Sequence, residues 1–216
     1  MPVITISRQF GAGGRTLGEH LASRLGYAVV DEDIIEQTAQ QANVSPEWIK
    51  SLEQEAGGSL QRYFSGLKSV RQSYLYKAVI GKQGYIDGHR YVELLYEIIP
   101  QLANRDNVII LGRGSQYILQ NRPNTYHLLL VARHEDRIQF LCHNYEINRN
   151  KAQQIVGRQD KIRTNLYRFF GKEDYNSPFL YHTVLNMSQL SQEQALNSSA
   201  ALLDPEKETS ASVEDN

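Results

Sequence analysis

The sequence predicts an α/β fold in which a parallel sheet of about five strands is covered by helices on both faces. Two observations lead to this prediction. Short segments that are apolar at successive positions alternate along the chain with stretches of helical periodicity, and such continuously apolar strands are typical of parallel sheets buried on both sides. The first apolar segment also runs through a glycine-rich turn directly into a helix, which is how a β–α unit begins.

The elements follow in order along the chain. Strands are predicted where aliphatic and β-branched residues follow one another, at Val3 to Ser7, Tyr27 to Val30, Asn107 to Leu111, Tyr126 to Ala132 and, more weakly, Tyr181 to Leu185. The first helix is predicted over Thr16 to Leu25, because leucines recur there every four residues and Gly26 follows as a stop signal. An amphipathic helix is predicted over Tyr91 to Ile99 and a polar helix from His134 onward.

The chain is expected to form one domain over residues 1–195. Residues 34–105, between the second and third strands, are rich in helical pattern and are interpreted as a helical insertion, with a flexible break at Gly57-Gly58-Ser59. The apolar signal then fades, and the last residues are polar and acidic. We therefore expect residues 196–216 to be a disordered acidic tail.

Composition excludes several classes of protein. The 216 residues carry a net charge of −1, so a basic field for nucleic acid or a membrane surface is not expected. Cys142 is the only cysteine, which excludes an internal disulfide framework and a cysteine metal cage. Membrane-spanning runs and a signal-peptide profile are absent from the sequence, so we expect a cytoplasmic location without a membrane partner.

The glycine-rich turn predicts a phosphate-binding loop. Glycines let successive N–H groups converge on one point, at which the following helix directs its positive end. The usual pattern, G-x-x-x-x-G-K-[ST], adds a lysine and a hydroxyl. Aligning Gly13 with the second glycine puts Gly14 at the lysine and Arg15 at the hydroxyl position. Thr16 then stands one place late as a phosphate or Mg²⁺ contact, and Arg8 or Arg15 could supply the missing cation. The alternative is a turn that binds nothing.

Ligands of parallel sheets bind beyond the carboxyl ends of the strands. In this sequence the predicted strands are followed by polar or glycine-rich residues, namely Ser7 to Arg15, Asp31, Gly112 to Ser115, Arg133 and Asn186. We therefore expect these residues to share one functional edge of the sheet.

Five segments in one order carry a resemblance to a known family. They are ITISRQFGAGGRTLG, VVDEDII, VIILGRGSQYIL, HLLLVARHEDRI and YHTVLNMS. Over Pro2 to Ala195 the chain resembles the cytidylate kinase-like proteins of bacteria, within the nucleoside monophosphate kinase group of P-loop phosphotransferases. The resemblance implies a three-layer P-loop kinase fold, a loop for a nucleoside triphosphate, an acceptor-binding insertion and an arginine-bearing lid over residues 137–168.

The resemblance also implies roles for single residues. It assigns Gly11, Gly13, Gly14, Arg15 and Thr16 to the donor phosphates. Arg8 and Ala12 of the same loop complete the candidate set, with Thr16 as the candidate Mg²⁺ contact. Asp31 stands where an acidic residue follows the second strand, so it binds the acceptor or organises Mg²⁺, or else it caps a helix. Arg113 matches the arginine of a G-R-D segment and is a candidate for binding the acceptor phosphate. The aspartate of that segment is Gly114 here.

The lid candidates are charged residues of the later helices. Arg137 stands at the start of the lid, and Asp160 with Arg163 matches a signature that reads the acceptor ribose and phosphate. Arg158 is the further arginine that could reach the same space. The alternative for the lid arginines is a solvated basic helix face with ion pairs.

Together these features predict a phosphotransferase that uses ATP and Mg²⁺ on CMP, dCMP or another small acceptor, with no role for nucleic acid. Phosphoryl transfer depends mainly on alignment and charge neutralisation, so the candidate catalytic residues are Arg15, Arg113, Arg137 and Arg163. The alternative is a nucleotide-binding regulatory protein that kept the fold after losing the lysine-dependent chemistry. The sequence predicts no oligomeric state.

Overall fold

A computed structural model describes residues 2–55 and 87–203 of the chain. Its centre is a five-stranded sheet formed by β1 (Val3–Arg8), β2 (Ala28–Val30), β3 (Val108–Leu111), β4 (Thr125–Val131) and β5 (Thr183–Asn186). The strands lie in the order β2-β3-β1-β4-β5, and all four neighbouring pairs are parallel. The predicted parallel sheet of five strands is confirmed.

Helices connect the strands and cover both faces. Within the described residues they are α1 (Gly14–Leu25), α2 (Glu32–Ala42), α3 (Pro46–Glu55), α4 (Gly88–Ala103), α5 (Ser115–Ile118), α6 (His134–Tyr145), α7 (Arg149–Phe169) and α8 (Gln192–Ala201), with a 3₁₀ turn at Pro178–Leu180. In this part of the chain, no helix has both the length and the apolar character that crossing a bilayer requires.

Strand β3 shows how the two faces are built. All four of its residues are buried. Val108 and Ile110 belong to the apolar cluster formed with α2, α3 and α4, whereas Ile109 and Leu111 belong to the cluster formed with α1 and α8. Because successive side chains of a strand point to opposite faces, a strand between two helical layers must be apolar at every position. The three-layer α/β architecture follows.

Most of the predicted insertion can be described. Helices α2, α3 and α4 lie between β2 and β3, as its helical pattern indicates. The side chain of Asp87 caps α4 by accepting a hydrogen bond from the Arg90 N–H. The predicted break at Gly57-Gly58-Ser59 lies outside the described residues.

The predicted lid region, residues 137–168, consists mainly of α6 and α7. The two helices pack through a small apolar cluster of Ile138, Leu141, Ala152 and Val156.

The boundary predicted at residue 195 falls inside a helix. Helix α8 begins with a capping box between Ser191 and Gln194, and Ala195 and Ser199 are fully buried. A disordered tail from residue 196 is therefore wrong for residues 196–201, because small side chains give a weak apolar signal and yet pack closely against a neighbour. Residues 204–216 lie outside the described residues.

Candidate functional site

The turn between β1 and α1 forms a loop with open backbone donors. Gly11 and Gly13 adopt positive φ angles of 83° and 76°, which favour glycine. The N–H of Leu17 donates the first helical hydrogen bond, to the Gly13 carbonyl at 2.9 Å. The N–H groups of the preceding turn have no acceptor within the helix, and they lie at the positive end of α1. This arrangement suits an anion.

Two of the loop glycines are needed for close packing. A Cβ on Gly11 would lie 2.9 Å from the backbone oxygen of Arg137 in α6. A Cβ on Gly13 would lie 2.0 Å from Nε2 of Gln192, the first residue of α8. The loop is thus held between the elements that follow β4 and β5. Gln192 was not among the candidates, since nothing in its local sequence indicates a contact with the loop.

Arg8 occupies the space beside the third glycine. Its Cδ lies 2.6 Å from the point that a Cβ on Gly14 would take, and its Nη1 lies 3.0 Å from the corresponding point on Gly112. Its Nη2 is 3.4 Å from Oδ2 of Asp31. Burial lowers the pKa of the Arg8 guanidinium, although the negative charge of Asp31 opposes the shift. Arg8 therefore runs from the loop towards the ends of β2 and β3.

The two residues after Gly14 have different positions. The side chain of Arg15 is 61% exposed and pairs with Glu19 at 2.9 Å, one turn further along α1. Thr16 lies in the first helical turn and is partly buried. Their roles at the donor phosphates stay predictions.

Arg113 is held by two carboxylates. Its Nη1 lies 2.6 Å from Oδ1 of Asp31, and its Nε lies 2.9 Å from Oε1 of Glu53 in α3. The buried Tyr91 hydroxyl donates a further hydrogen bond to Glu53. Burial alone would lower the pKa of Arg113, but the negative charges around it, with Glu53 foremost, outweigh burial and raise that pKa above its ordinary value.

The contacts of Asp31 bear on its two predicted roles, which are ligand binding and helix capping. Asp31 stands at the N-cap position of α2, but its side chain makes no capping hydrogen bond there. It contacts Arg113 and Arg8 instead. Asp31, Arg8 and Arg113 thus come together as their strand-end positions predict. Glu53 and Tyr91 were not among the candidates, because they come from helices of the insertion and meet the cluster only through the tertiary fold.

Arg137 and Asp160 form an ion pair with each other. The two guanidinium nitrogens of Arg137 lie 2.8 and 3.0 Å from the carboxylate oxygens of Asp160. Arg137 is 5% exposed, and its Nη1 also lies 3.3 Å from the carbonyl oxygen of Phe10 in the loop. This bidentate pair therefore joins α6, α7 and the loop.

The other two lid arginines, Arg163 and Arg158, lie in different surroundings. Arg163 donates a hydrogen bond to Asn176 at 2.8 Å, and its guanidinium lies 4.9 Å from the ring centroid of Tyr175. Its Nη2 is buried without a hydrogen-bond partner among the described residues. Arg158 is exposed on α7, as the alternative of a solvated face expects. Their predicted contacts with the acceptor stay predictions.

A buried polar network lies beneath Arg163. The Ser7 hydroxyl donates to Gln116 Oε1 at 3.0 Å, and Gln116 Nε2 donates to the hydroxyl of Tyr167 at 3.1 Å. The ring of Tyr167 stacks on that of Tyr175, with centroids 4.3 Å apart. The network fixes the end of β1 relative to α5 and α7, because a buried polar group that loses its hydrogen-bond partner destabilises the fold.

A pocket of about 160 Å³ lies on the other side of the loop. Its apolar wall is formed by Gly11, Ala12, Ala132, Phe140, Met187 and Leu190. Asp136 and Gln192 add polar groups to the lining. Ala132 and Met187 directly follow β4 and β5, so the pocket adjoins the same carboxyl edge of the sheet as the arginine cluster.

Carboxylates and histidines do not gather into a metal cage in this region. Across residues 2–55 and 87–203, no group of three or more histidine, cysteine, aspartate or glutamate side chains could hold a metal ion. A divalent cation at the loop would therefore depend on hydroxyl, phosphate and water oxygens.

Comparisons with known proteins agree with this geometry. The family model described as the cytidylate kinase-like family matches residues 3–189. Among solved structures, the chain is similar to an uncharacterized protein from Eubacterium ventriosum ATCC 27560, with a TM-score of 0.64, 14% identity and coverage of 94% of this chain and 98% of the other. No curated protein matches the sequence significantly.

Two similar structures have named activities. A shikimate kinase from Bacteroides thetaiotaomicron has a TM-score of 0.51, 14% identity and coverage of 94% of this chain and 98% of the other. A gluconokinase from Sinorhizobium meliloti 1021 has a TM-score of 0.50, 14% identity and coverage of 97% of both chains. At this level of identity, the similarities show a shared P-loop kinase fold.

Proposed function

This chain belongs to the cytidylate kinase-like family, and we propose that it transfers the γ-phosphate of ATP, with Mg²⁺, to CMP, dCMP or another small acceptor. The observation that carries the proposal is the position of Arg8. Its side chain lies against Gly14, which stands where the usual loop has its lysine. A guanidinium beside the loop would supply the positive charge that the missing ammonium group supplies elsewhere.

The donor side of the site fits a triphosphate. The open N–H groups at the start of α1 would bind phosphate oxygens. Thr16 offers a hydroxyl in the same turn. Mg²⁺ in nucleotide sites is commonly held by one or two protein groups together with phosphates and water, so a loop with a hydroxyl and without a carboxylate cage is compatible with it. Bound Mg²⁺ would add charge neutralisation to the phosphates.

The acceptor side would be the cluster around Arg113. Arg8 and Arg113 face Asp31 and Glu53, so two positive charges are balanced by two negative ones. An acceptor phosphate would compete with Glu53 for Arg113, whereas an acceptor hydroxyl would find a hydrogen-bond acceptor in Asp31. Arg8 lies between this cluster and the loop, where it would neutralise charge on the migrating group.

The pair of Arg137 and Asp160 would act on the loop. Arg137 reaches the Phe10 carbonyl, and its backbone packs on Gly11. We infer that this arginine holds the loop in position from α6, which makes it a positioning residue. The catalytic role predicted for Arg137 stays a separate proposal.

The test is a coupled assay of ADP release with Mg-ATP and a panel of nucleoside monophosphates and small polyols. We expect turnover with at least one acceptor, and we expect Arg8→Ala to reduce kcat about 100-fold or more, which is the usual effect of removing one transition-state donor. Arg8→Lys should recover part of the rate because it restores a positive charge. Arg90→Ala, at an exposed ion pair of α4, is the control. Full activity of Arg8→Ala would contradict the proposal.

A regulatory, nucleotide-binding function is the second candidate. It is favoured by the exposure of Arg15 and by the two carboxylates that already occupy Arg113. In that case Mg-ATP would raise the melting temperature, but no acceptor of the panel would cause ADP release. Turnover of any acceptor that depends on Arg8 would exclude this second candidate.

A further inference from the structure

The chain reverses direction after α7 and brings Tyr175 back against this helix. Gly171 has a φ angle of 64°, which favours glycine, and its N–H and that of Lys172 donate to carbonyl oxygens of the last helical turn. The ring of Tyr175 then stacks on Tyr167, with centroids 4.3 Å apart and 8° between the ring planes. The Tyr175 hydroxyl lies 3.0 Å from that of Thr164. Tyr175 is therefore fixed both by its ring and by its hydroxyl.

The guanidinium group of Arg163 lies beside these two stacked rings. Its central carbon is 4.9 Å from the ring centroid of Tyr175 and 5.5 Å from that of Tyr167. At such distances the face of an aromatic ring attracts a cation. Nη1 of Arg163 also donates a hydrogen bond to Asn176 at 2.8 Å. Tyr175 and its neighbour Asn176 thus hold the guanidinium by its face and by one of its N–H edges.

A second N–H edge of Arg163 is left open. Its Nη2 is buried and has no hydrogen-bond partner among the described residues. Arg113 and Arg137 are paired with carboxylates, whereas no carboxylate within residues 2–55 and 87–203 pairs with Arg163. A buried N–H of a cation without a partner costs free energy. An anionic group on a ligand would remove that cost by a charge-assisted hydrogen bond.

Arg163 belongs to the same region of the site as the arginine cluster. Burial lowers the pKa of the Arg8 guanidinium, and the positive charges of Arg113 and Arg163 lower it further. The Tyr167 hydroxyl accepts a hydrogen bond from Gln116, whose amide oxygen accepts one from the residue before Arg8. The stacked rings are therefore tied to the end of β1 as well as to α7.

We propose that Tyr175 is a positioning residue, whose ring holds Arg163 with Nη2 free to bind the phosphate group of a nucleoside monophosphate acceptor. The inference rests on the proposed function and adds to it the class of acceptor and the residue that aligns its arginine. A guanidinium group is planar and rigid, so the ring that lies against its face determines where its N–H groups point. Tyr175 itself does not touch the acceptor.

The first experiment measures steady-state kinetics of the full chain with Mg-ATP and nucleoside monophosphates, beginning with CMP. Tyr175→Leu should raise the KM for the nucleotide acceptor about threefold to thirtyfold, which corresponds to the loss of one cation–π contact. The KM for ATP and kcat should change less than about twofold, because the lost interaction concerns binding of the acceptor. An unchanged KM for the acceptor would overturn the inference.

Two further tyrosine variants separate the ring from its hydroxyl and from general effects. Tyr175→Phe keeps the ring and should keep the KM for the acceptor close to that of the unaltered chain. Tyr145→Leu, at an exposed tyrosine of α6, is the matched control and should not change that KM. A rise in Tyr175→Phe as large as that in Tyr175→Leu would show that the ring does not hold Arg163, and the inference would be wrong.

The second experiment tests whether Tyr175 acts through Arg163. Arg163→Met removes the guanidinium group and should itself raise the KM for the acceptor. Tyr175→Leu added to Arg163→Met should raise it no further, because a positioning residue then has nothing to position. If Tyr175→Leu raises the KM by the same factor with and without Arg163, the tyrosine acts independently of the arginine, which contradicts the inference.

Asn176→Ala provides a variant at an exposed position, where folding should be preserved. It removes the hydrogen bond to Nη1 of Arg163, so the KM for the acceptor should rise about twofold to tenfold. Melting temperatures of all variants show which of them are folded. If Tyr175→Leu does not fold, Asn176→Ala decides, and an unchanged KM there overturns the inference.

The same assays distinguish this inference from the proposed function. If small polyols are phosphorylated and no nucleoside monophosphate is, the proposed function stands and the inference is wrong. If no acceptor of the panel is turned over, the proposed function fails, and this inference fails with it.

Discussion

The side chain of Arg8 lies across Gly14, with Cδ 2.6 Å and Cβ 2.9 Å from the point that a Cβ on Gly14 would occupy. These are two of the three positions at which this loop departs from the usual pattern, since Arg8 replaces its first glycine, Gly14 its lysine and Arg15 its hydroxyl residue. The departures are therefore coupled in space. The Arg8 side chain occupies the space that a lysine side chain at position 14 would enter.

We predict that Gly14→Lys alone impairs ATP binding and that the double variant Arg8→Gly, Gly14→Lys recovers it. A lysine at position 14 clashes with the Arg8 side chain, whereas the double variant recreates the usual spacing. The measurement is the rise in melting temperature caused by Mg-ATP. Gly157→Lys is the control, because a side chain there meets open space. A double variant no better than Gly14→Lys would show that the two positions are not interchangeable.

We predict a strong coupling between Arg113 and Glu53. Both side chains are more than four-fifths buried, so removing one leaves the other without its partner. In a double-mutant cycle of Arg113→Met and Glu53→Gln, urea unfolding should give a coupling free energy of about 1–3 kcal/mol.

The exposed pair of Arg90 and Glu93 provides the control for that cycle. Arg90 Nη1 and Glu93 Oε2 are 2.8 Å apart, close to the 2.9 Å between Arg113 Nε and Glu53 Oε1. The Arg90 pair, however, is exposed to solvent. We expect a coupling below about 1 kcal/mol there. Equal coupling in the two cycles would mean that burial adds nothing to the Arg113 cluster.

We predict that Gly13→Ala destabilises the fold more than Gly26→Ala does. Both glycines have positive φ, at 76° and 70°, so both substitutions cost about 1–2 kcal/mol of backbone strain. A Cβ on Gly26 meets nothing within 4 Å, whereas one on Gly13 meets Gln192, which should add about 1–3 kcal/mol. Chemical denaturation measures both. Adding Gln192→Ala to Gly13→Ala should recover part of the lost stability. If it recovers none, the clash with Gln192 is not the cause of the loss.

We predict that the fold loses stability between about pH 6.5 and pH 4 through His127. This buried histidine of β4 contacts the Thr5 hydroxyl at 2.7 Å and lies near His182. Burial, with the nearby His182, lowers the pKa of His127 to about 4. The unfolded chain therefore takes up a proton in this pH range while the folded chain does not, and stability falls as the pH falls.

The loss should reach about 3 kcal/mol at the acid end of that range. The free energy of unfolding in urea is measured at several pH values for the unaltered chain and for His127→Asn, with His20→Asn as the control at an exposed position of α1. If His127→Asn shows the same dependence as the unaltered chain, another group causes it.

Much of the architecture was predictable because its signals are local. A strand such as β3, apolar at all four positions, can be recognised from adjacent residues, and so can the change to helical periodicity at Leu17. The edge of the sheet on which Arg8, Asp31 and Arg113 meet was also predictable, because parallel strands bring their carboxyl ends together.

The partners within the site were not predictable in the same way. Glu53 meets Arg113 across 60 positions of sequence, and Gln192 meets Gly13 across almost the entire described chain. Arg137 and Asp160 were both singled out, yet their pairing depends on how α6 packs on α7. Such contacts arise from helix packing, for which a single sequence has no periodic signal.

The clamping of the loop by α6 and α8 has a consequence for biosynthesis. The glycine turn is translated before its supports at Arg137 and Gln192, which leave the ribosome much later. Its strand also lies between β3 and β4, neither of which exists when β1 emerges. The nascent polypeptide therefore cannot complete the packing of this loop until α8 has been synthesised, and chains that stop short of α8 should emerge with the loop unsupported on that side.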